Sequence, residues 1–154
     1  MTYIIDTNVI VLLNRYTPRS VFPSVWSAWE ALIADGRAFM PREVLEELDK
    51  QVGDGLALWC KSFSGFIEEA QLPDVSVVQQ IAARYPGWVQ GDQNGADPWV
   101  IAHAHRHSGV VVTDEKAKGL NVAEKNLKIP NVAKDFGVEC IPPIELALRE
   151  GWQF

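Results

Sequence analysis

The chain has 154 residues, of which 47% are hydrophobic and 22% charged, and its formal net charge is −6. These fractions are typical of globular proteins and exclude a disordered, collagen-like or coiled-coil chain, and the length predicts one domain over residues 1–154. The excess of acids disfavours a nucleic-acid partner, because binding to phosphates normally needs a surplus of lysine and arginine. Cys60 and Cys140 belong to no CxxC pattern and are predicted to be reduced thiols.

No apolar run in the sequence approaches the roughly 18 residues that a membrane-spanning helix needs. The first residues also lack a basic leader, and an acid, Asp6, follows within the first few positions. We therefore expect no membrane association and a cytoplasmic location.

Short apolar runs alternate with longer amphipathic stretches along the chain. The predicted extended segments are Tyr3 to Ile5, continued by Val9 to Leu13 after a polar break, then Arg37 to Met40, Val110 to Val112 and Val138 to Ile141. The predicted helices cover Pro23 to Ala34, Pro41 to Leu48, Leu56 to Phe66, Val75 to Tyr85, Asp97 to His107 and Ile144 to Arg149. Strands separated by helices predict an α/β protein with a largely parallel sheet.

Two of the apolar runs end directly in acids. Asp6 follows the first run, and Asp114 and Glu115 follow the valine run and Thr113. The carboxyl ends of parallel strands lie at one edge of a sheet, where ligands bind near a switch in strand order. Each acid has an ordinary alternative, because Asp and Asn after a strand commonly form turns or cap the next helix.

Two further acids are predicted to point inward from helices. Asp97 lies near the middle of the apolar stripe of its helix, although it could equally cap that helix, since Pro98 follows it. On the helix that begins at Pro41, Glu47 lies nearest the apolar face, Glu43 lies one turn below it and Glu46 lies on the outer side. Glu47 is therefore the best candidate of the three glutamates.

Asp6, Glu47, Asp97 and the pair Asp114 and Glu115 can converge on one site from separate elements. Carboxylates packed together repel one another unless a cation neutralises them. Hard oxygen ligands select Mg²⁺ or Mn²⁺, and such ions on a carboxylate rim support phosphoryl chemistry.

Four segments, taken in order, resemble the PIN-domain ribonucleases. They are YIIDTNVI at residues 3–10, MPREVLEEL at 40–48, GADPWVIAHA at 95–104 and VVVTDE at 110–115. The resemblance covers about residues 3 to 145. It implies a PIN-like three-layer α/β/α sandwich around a central, mostly parallel sheet of four or five strands. The helical stretch around residues 53–90 exceeds a minimal domain of this type and is expected to be an insertion. The resemblance also implies a Mg²⁺- or Mn²⁺-dependent endoribonuclease that hydrolyses RNA with metal-activated water, and a VapC-like toxin with an antitoxin partner.

The resemblance assigns roles to individual residues. Asp6, Glu47, Asp97 and either Glu115 or Asp114 match the catalytic acids, and all of these except Glu47 are expected to bind metal. The family usually has an aspartate where this chain has Glu115, with Asp114 just before it, so the fourth acid stays open. The expected supporting residues are Thr7, Asn8, Thr113 and Glu43.

Lysines follow the last acids, and Lys116 and Lys118 are the predicted RNA-binding residues. His103, His105 and His107 invite a metal interpretation, because His103 and His107 have the i, i+4 spacing of helical ligands. A histidine face exposed to solvent or to a partner is favoured instead, since His103 points away from the apolar stripe.

Two other functions compete with the ribonuclease hypothesis. A Mg²⁺-dependent phosphatase of the haloacid-dehalogenase type also places an aspartate after its first strand, but it needs a second aspartate where this chain has Asn8. A non-catalytic PIN-like binding module would have no evident reason to keep mutually repelling acids. The expected partners are RNA, an antitoxin and a second copy of the chain.

Overall fold

The computed structural model describes residues 1–51 (the last without its side chain), 55–119 and 121–154. Residues 53 and 54, at the start of the predicted insertion, lie outside this described part. The remainder of that insertion contains both helices and a short strand.

The described residues form a five-stranded sheet in which every pair of neighbouring strands is parallel. Its strand order is β3-β2-β1-β4-β5. The strands are β1 (Tyr3–Ile5), β2 (Ala38–Pro41), β3 (Ile67–Glu68), β4 (Val110–Val112) and β5 (Glu139–Ile141). Strand order reverses between β1 and β4, which are neighbours although the chain visits β2 and β3 between them.

Helices flank the sheet and complete the α/β architecture, which confirms the predicted fold class. They are α1 (Thr7–Tyr16), α2 (Pro23–Ala34), α3 (Arg42–Gln51), α4 (Leu56–Lys61), α5 (Leu72–Arg84), α6 (Asp97–His107), α7 (Ile129–Ala133) and α8 (Pro143–Arg149). Helix α6 packs against β1, β2 and β4, so it lies across the middle of the sheet.

The sheet centre is built from β-branched residues that are buried on both faces. All three residues of β1 and of β4 are buried, as expected for central parallel strands. A glycine makes the entry to β4 possible: a Cβ at Gly109 would lie 2.7 Å from the carbonyl oxygen of Thr2. That carbonyl accepts a hydrogen bond from the Val110 amide at 2.9 Å, so the close approach starts the β1–β4 pairing.

Two predicted elements are wrong in detail, and one strand was not predicted. Val9 to Leu13 is not extended but lies in α1, because the Asp6 side chain accepts a hydrogen bond from the Thr7 amide and caps a helix there. The helix predicted from Leu56 to Phe66 ends at Lys61, and a turn through Gly65, whose φ is +79°, leads into β3. The prediction misses β3 itself because two residues are too few to show a period.

Within the described ranges, no helix is long and apolar enough to cross a membrane. Cys60 and Cys140 are both free and form no disulfide. Burial raises the pKa of each thiol to about 12, so neither is a reactive thiolate at neutral pH.

Candidate active site

The site lies where β1 and β4 end side by side. Asp6 follows β1, and Thr113 and Glu115 follow β4. The two strands are in register from Tyr3 opposite Val110 to Ile5 opposite Val112, so their carboxyl ends are level. This is the point at which strand order reverses, the location where parallel sheets usually bind ligands.

The Thr113 hydroxyl is the centre of the hydrogen bonds that hold these two chain segments together. It donates to Asp6 Oδ2 at 2.8 Å and accepts from Asn8 Nδ2 at 3.3 Å and from the Glu115 amide at 3.1 Å. Asn8 Oδ1 in turn accepts from the Asp114 amide at 3.1 Å. Thr113 and Asn8 are therefore placed to support the acids, as the sequence predicts.

Two helices bring the other acids to the same edge. The Thr7 hydroxyl donates to Glu47 Oε2 at 3.0 Å, which ties α3 to the start of α1. Asp97 is the first residue of α6 and is buried, and the N-cap position belongs to Ala96. The capping alternative for Asp97 is therefore wrong, and its carboxylate is available to the site.

The four acids share one small pocket. This pocket has a volume of about 180 Å³, and its lining residues are Asp6, Thr7, Asn8, Val11, Glu47, Asp97 and Glu115. The acids come from the ends of two strands and from two helices. The structure thus brings together most of the residues that the sequence nominates.

The crowding of these acids raises the pKa of two of them. Burial, followed by the charge of Glu115, raises the pKa of Asp6 to about 7, although hydrogen bonds from Thr113 and Thr7 work in the opposite direction. Burial, followed by the charges of Asp6, Glu115 and Glu47, raises the pKa of Asp97 to about 8. The pocket is therefore a place where negative charge is confined without full compensation.

Asp114 does not line this pocket, whereas Glu115 does, and the role of Asp114 as a catalytic and metal-binding acid stays a prediction. Asp114 is exposed and lines a neighbouring apolar groove beside Leu12 and Trp29. The chain bends at Asp114 just after β4, and the Glu115 amide turns back to donate to the Thr113 hydroxyl.

The remaining predicted residues lie around the pocket rather than in it. Glu43 lines an adjacent pocket of about 360 Å³ together with Glu46 and Glu47. Its Oε2 is buried without a hydrogen-bond partner in the described part of the chain, and burial raises its pKa. Lys116 and Lys118 are exposed and do not line the acidic pocket.

The acids have the donor chemistry of a site for a hard divalent cation. Among the described residues, however, no group of three or more His, Cys, Asp or Glu side chains already forms a metal site. Asp6, Glu47, Asp97 and Glu115 line the pocket and are the residues that could hold such a cation.

Sequence reasoning missed a second cluster of acids, at the other end of α6. Glu68 accepts hydrogen bonds from Arg106 at 2.6 Å and contacts His103 Nδ1 at 2.7 Å and His107 Nε2 at 2.8 Å. Arg106 Nε also donates to both oxygens of the buried Asp74, at 2.9 and 3.0 Å. We call these five residues the compensated cluster.

The predicted exposed histidine face is wrong for His103, which is completely buried, and His107 stacks on Phe39 with ring centroids 4.8 Å apart. Helix α6 packs against α5 as well as against the sheet. A residue that points away from the apolar stripe of α6 is therefore still covered. His105 is exposed, as predicted.

A protein-family model described as a domain of unknown function, DUF4411, matches residues 3–154. The chain belongs to the DUF4411 family. No curated protein matches this DUF4411 chain.

Solved structures with the same fold include FitAcB from Neisseria gonorrhoeae, at 20% identity and a TM-score of 0.57, covering 93% of this chain and 99% of that one. FitAB bound to the IR36 DNA fragment has 19% identity and a TM-score of 0.56, covering 92% of this chain and 95% of that one. VapBC2 from Rickettsia felis, bound to a DNA fragment from their promoter, has 16% identity and a TM-score of 0.54, with coverages of 92% and 98%. These similarities confirm the PIN-like fold of the DUF4411 chain.

Proposed function

We propose that this protein is a divalent-metal-dependent endoribonuclease. The observation that carries the proposal is the convergence of Asp6, Glu47, Asp97 and Glu115 on one pocket at the carboxyl edge of a parallel sheet. The order and spacing of these residues resemble the PIN-domain ribonucleases, and the fold agrees with that resemblance.

Mg²⁺ or Mn²⁺ fits the donor set, because all four candidate ligands offer hard carboxylate oxygens. The pKa values of Asp6 and Asp97 are raised because burial and the neighbouring acids disfavour their ionised forms, and a divalent cation would offset that repulsion. When bound, the ion supplies an activated water and stabilises the leaving oxygen of a phosphodiester.

The chain's own residues orient the acids for that chemistry. Thr113 and the Thr7 amide hold one Asp6 oxygen each, so the Asp6 carboxylate has a fixed direction. The Thr7 hydroxyl fixes one oxygen of Glu47. In the bare pocket the Asp97 carboxyl holds a proton up to about pH 8, and cation binding must displace that proton.

RNA is the proposed substrate, and its backbone is expected to approach over the lysine-rich segment that follows Glu115. Lys116 and Lys118 are exposed there. A cationic approach is needed because the net charge of −6 and the acidic pocket both repel a polyanion.

We further propose that the ribonuclease is the toxin of a toxin–antitoxin pair. Support comes from the resemblance to VapC-like toxins and from the likeness in fold to FitAB and VapBC2, both of which are named as complexes bound to DNA. An antitoxin and a second copy of the chain are the proposed protein partners.

RNA cleavage tests the enzymatic proposal. Single-stranded RNA should be cut in Mg²⁺ or Mn²⁺ and not in EDTA, and Asp6→Asn and Asp97→Asn should each lower the rate by at least about 100-fold. Asp49→Asn is the matched control, because Asp49 is exposed on α3 beside Glu47. Hydrolysis of p-nitrophenyl phosphate without RNA cleavage would favour the phosphatase, and metal binding without any hydrolysis would favour the binding module.

Growth of a bacterial host tests the toxin proposal separately. Induced expression of the chain alone should arrest growth, and Asp97→Asn should relieve the arrest at equal protein level. Arrest by both the wild type and Asp97→Asn would contradict a toxin that acts through this pocket.

A further inference from the structure

One side chain, that of Asn131, forms hydrogen bonds with the backbone at two points beyond Glu115. Asn131 lies in α7 and is buried. Its Oδ1 accepts hydrogen bonds from the Lys118 amide and from the Lys128 amide, both at 2.9 Å, and its Nδ2 donates to the Lys118 carbonyl at 2.9 Å. A single amide thus joins the start and the end of the segment between these two lysines.

The same end of α7 touches the acidic pocket. The amide of Ile129 donates to Glu115 Oε2 at 3.0 Å, so one of the four acids is bonded to the residue next to Lys128. The Lys128 ammonium also acts electrostatically on Asp97, against the combined effects of burial and the neighbouring acids. Lys128 is half-buried, whereas Lys116 and Lys118 are exposed.

A second set of hydrogen bonds holds this segment from the opposite side. The side chain of Trp88, which is completely buried, donates to the Leu127 carbonyl at 2.9 Å. Asn94 Nδ2 donates to the Lys125 carbonyl at 2.8 Å. The backbone that leads into Lys128 is therefore fixed before any ligand arrives, which lowers the entropy lost when this lysine binds one.

An asparagine suits the position at residue 131 because its amide offers an acceptor oxygen with two lone pairs and a donor nitrogen. An aspartate could accept the two amide hydrogen bonds but could not donate to the Lys118 carbonyl. An alanine would leave two buried amides and a carbonyl without their partner, which is costly.

We propose that Lys128 binds an RNA backbone phosphate at the edge of the acidic pocket, and that Asn131 is the positioning residue that holds Lys128 there. The inference deepens the proposed function and rests on it for the identity of the substrate. Its physical basis is that four acids repel a phosphodiester, so a cation fixed beside them must offset that repulsion where the RNA enters.

Steady-state cleavage of a single-stranded RNA oligonucleotide is the first test. Lys128→Gln should raise KM about tenfold, the cost of losing one charged hydrogen bond, and leave kcat within about twofold. Asn131→Ala should produce the same pattern. Lys61→Gln, at an exposed lysine of α4, and Asn126→Ala, at an exposed asparagine of the same segment, are the matched controls and should change neither constant.

The double variant separates positioning from a general structural role. If Asn131 acts through Lys128, Lys128→Gln combined with Asn131→Ala should be no worse than either change alone. Additive effects on KM would overturn the role of Asn131, and an unchanged KM in Lys128→Gln would overturn the whole inference. If Asn131→Ala loses its far-UV circular dichroism, Asn131→Ser takes its place in the same cycle and is judged in the same way.

Metal-free binding distinguishes this inference from the proposed function. In EDTA, fluorescence anisotropy of the labelled RNA reports affinity without cleavage. The slope of log K against log salt concentration should become shallower by about 0.7 in Lys128→Gln and in Asn131→Ala, the value for one phosphate contact on a single strand. If the slopes change in the variants but the wild type does not cleave RNA, the nuclease proposal fails and the phosphate site at Lys128 stands. If the wild type cleaves RNA but neither the slopes nor KM change in the variants, the nuclease proposal stands and the phosphate site fails.

Discussion

Helix α6 has a cluster of acids at each end, and the two clusters are opposite in their electrostatics. At its start, Asp97 joins Asp6 in a pocket where the pKa values of the two carboxyls rise to about 8 and 7. At its end, burial alone would raise the pKa of Glu68, but hydrogen bonds from His103 and His107 and the charges of His107 and Arg106 lower it to about 2. The protein thus balances carboxylate charge with its own side chains at the end of α6 and leaves it unbalanced at the start of α6.

The contrast separates acids that stabilise the fold from acids that are available to a ligand. The compensated cluster connects β3, α5 and α6, and its partners are all within the chain. The acidic pocket stores repulsion that only a cation from outside can relieve. Variants that break one cluster or relieve the other should therefore change stability in opposite directions.

The largest effect on stability is expected at the compensated cluster. Arg106→Met should lower the free energy of unfolding by about 3–5 kcal/mol, because it leaves the buried Asp74 and the half-buried Glu68 without their arginine. Urea unfolding measures the loss. Arg149→Met removes an arginine that bonds two acids at the surface, and it should cost much less; equal losses would contradict the comparison.

Removal of one negative charge from the acidic pocket should stabilise the metal-free protein. Asp97 has a pKa of about 8 in the folded state against 3.8 for the unperturbed group. The folded state therefore binds more protons between these values, and its stability falls as pH rises from about 4 to 8. Asp97→Asn should flatten this fall and gain on the order of 3 kcal/mol at pH 8 in EDTA.

Chemical unfolding at a series of pH values checks this expectation. Asp49→Asn at the surface of α3 is the control and should keep the pH dependence of the wild type. A stability that rises between pH 5 and pH 8 in the wild type would show that the pocket does not confine charge as described.

Divalent cations should produce a similar gain without any mutation. At about one hundred times its Kd, Mn²⁺ or Mg²⁺ should stabilise the protein by about 2.7 kcal/mol, a rise in Tm of roughly 8 °C at pH 8. The rise should shrink at pH 5, where protons compete for the same carboxylates. Thermal melts at matched ionic strength measure it, and an equal rise in Asp97→Asn would place the ion elsewhere.

The smallest effect on stability is expected at Thr113. Thr113→Val keeps the shape but removes the hydroxyl that orients Asp6, so it should cost about 1 kcal/mol and lower RNA cleavage about 10- to 100-fold. Thr17→Val is a suitable comparison, because the Thr17 hydroxyl bonds the Leu13 carbonyl away from the pocket. It should cost similar stability and leave cleavage unchanged; a loss of cleavage in both would indicate a general effect of the fold.

The acids that follow strands could be predicted from sequence, because buried strands are recognisable as apolar runs and parallel strands end at the same edge of a sheet. Asp6 and Glu115 follow the β-branched runs that form β1 and β4, and parallel strands end at one edge. The choice between Asp114 and Glu115 could not be made in the same way. It depends on how the chain bends at Asp114 after β4, and no local pattern in the sequence shows that bend.

Features that depend on contacts between distant segments could not be predicted from the sequence. The apolar run in α1 fits a strand as well as a helix, and the capping role of Asp6 decides between them. His103 was misplaced because a single apolar stripe cannot show that α5 covers the other side of α6. Asn131 bonds a residue 13 positions earlier in the chain, a distance over which no local pattern extends.

The position of β1 in the sheet has a consequence for synthesis of the protein. The segment that carries Asp6 leaves the ribosome well before β4, because the Thr113 hydroxyl that orients Asp6 comes 107 residues later. Strand β1 also cannot pair with β4 until that point has been translated. A nascent chain therefore carries Asp6 without its pocket, and the chemistry of that pocket can begin only after β4 has been translated.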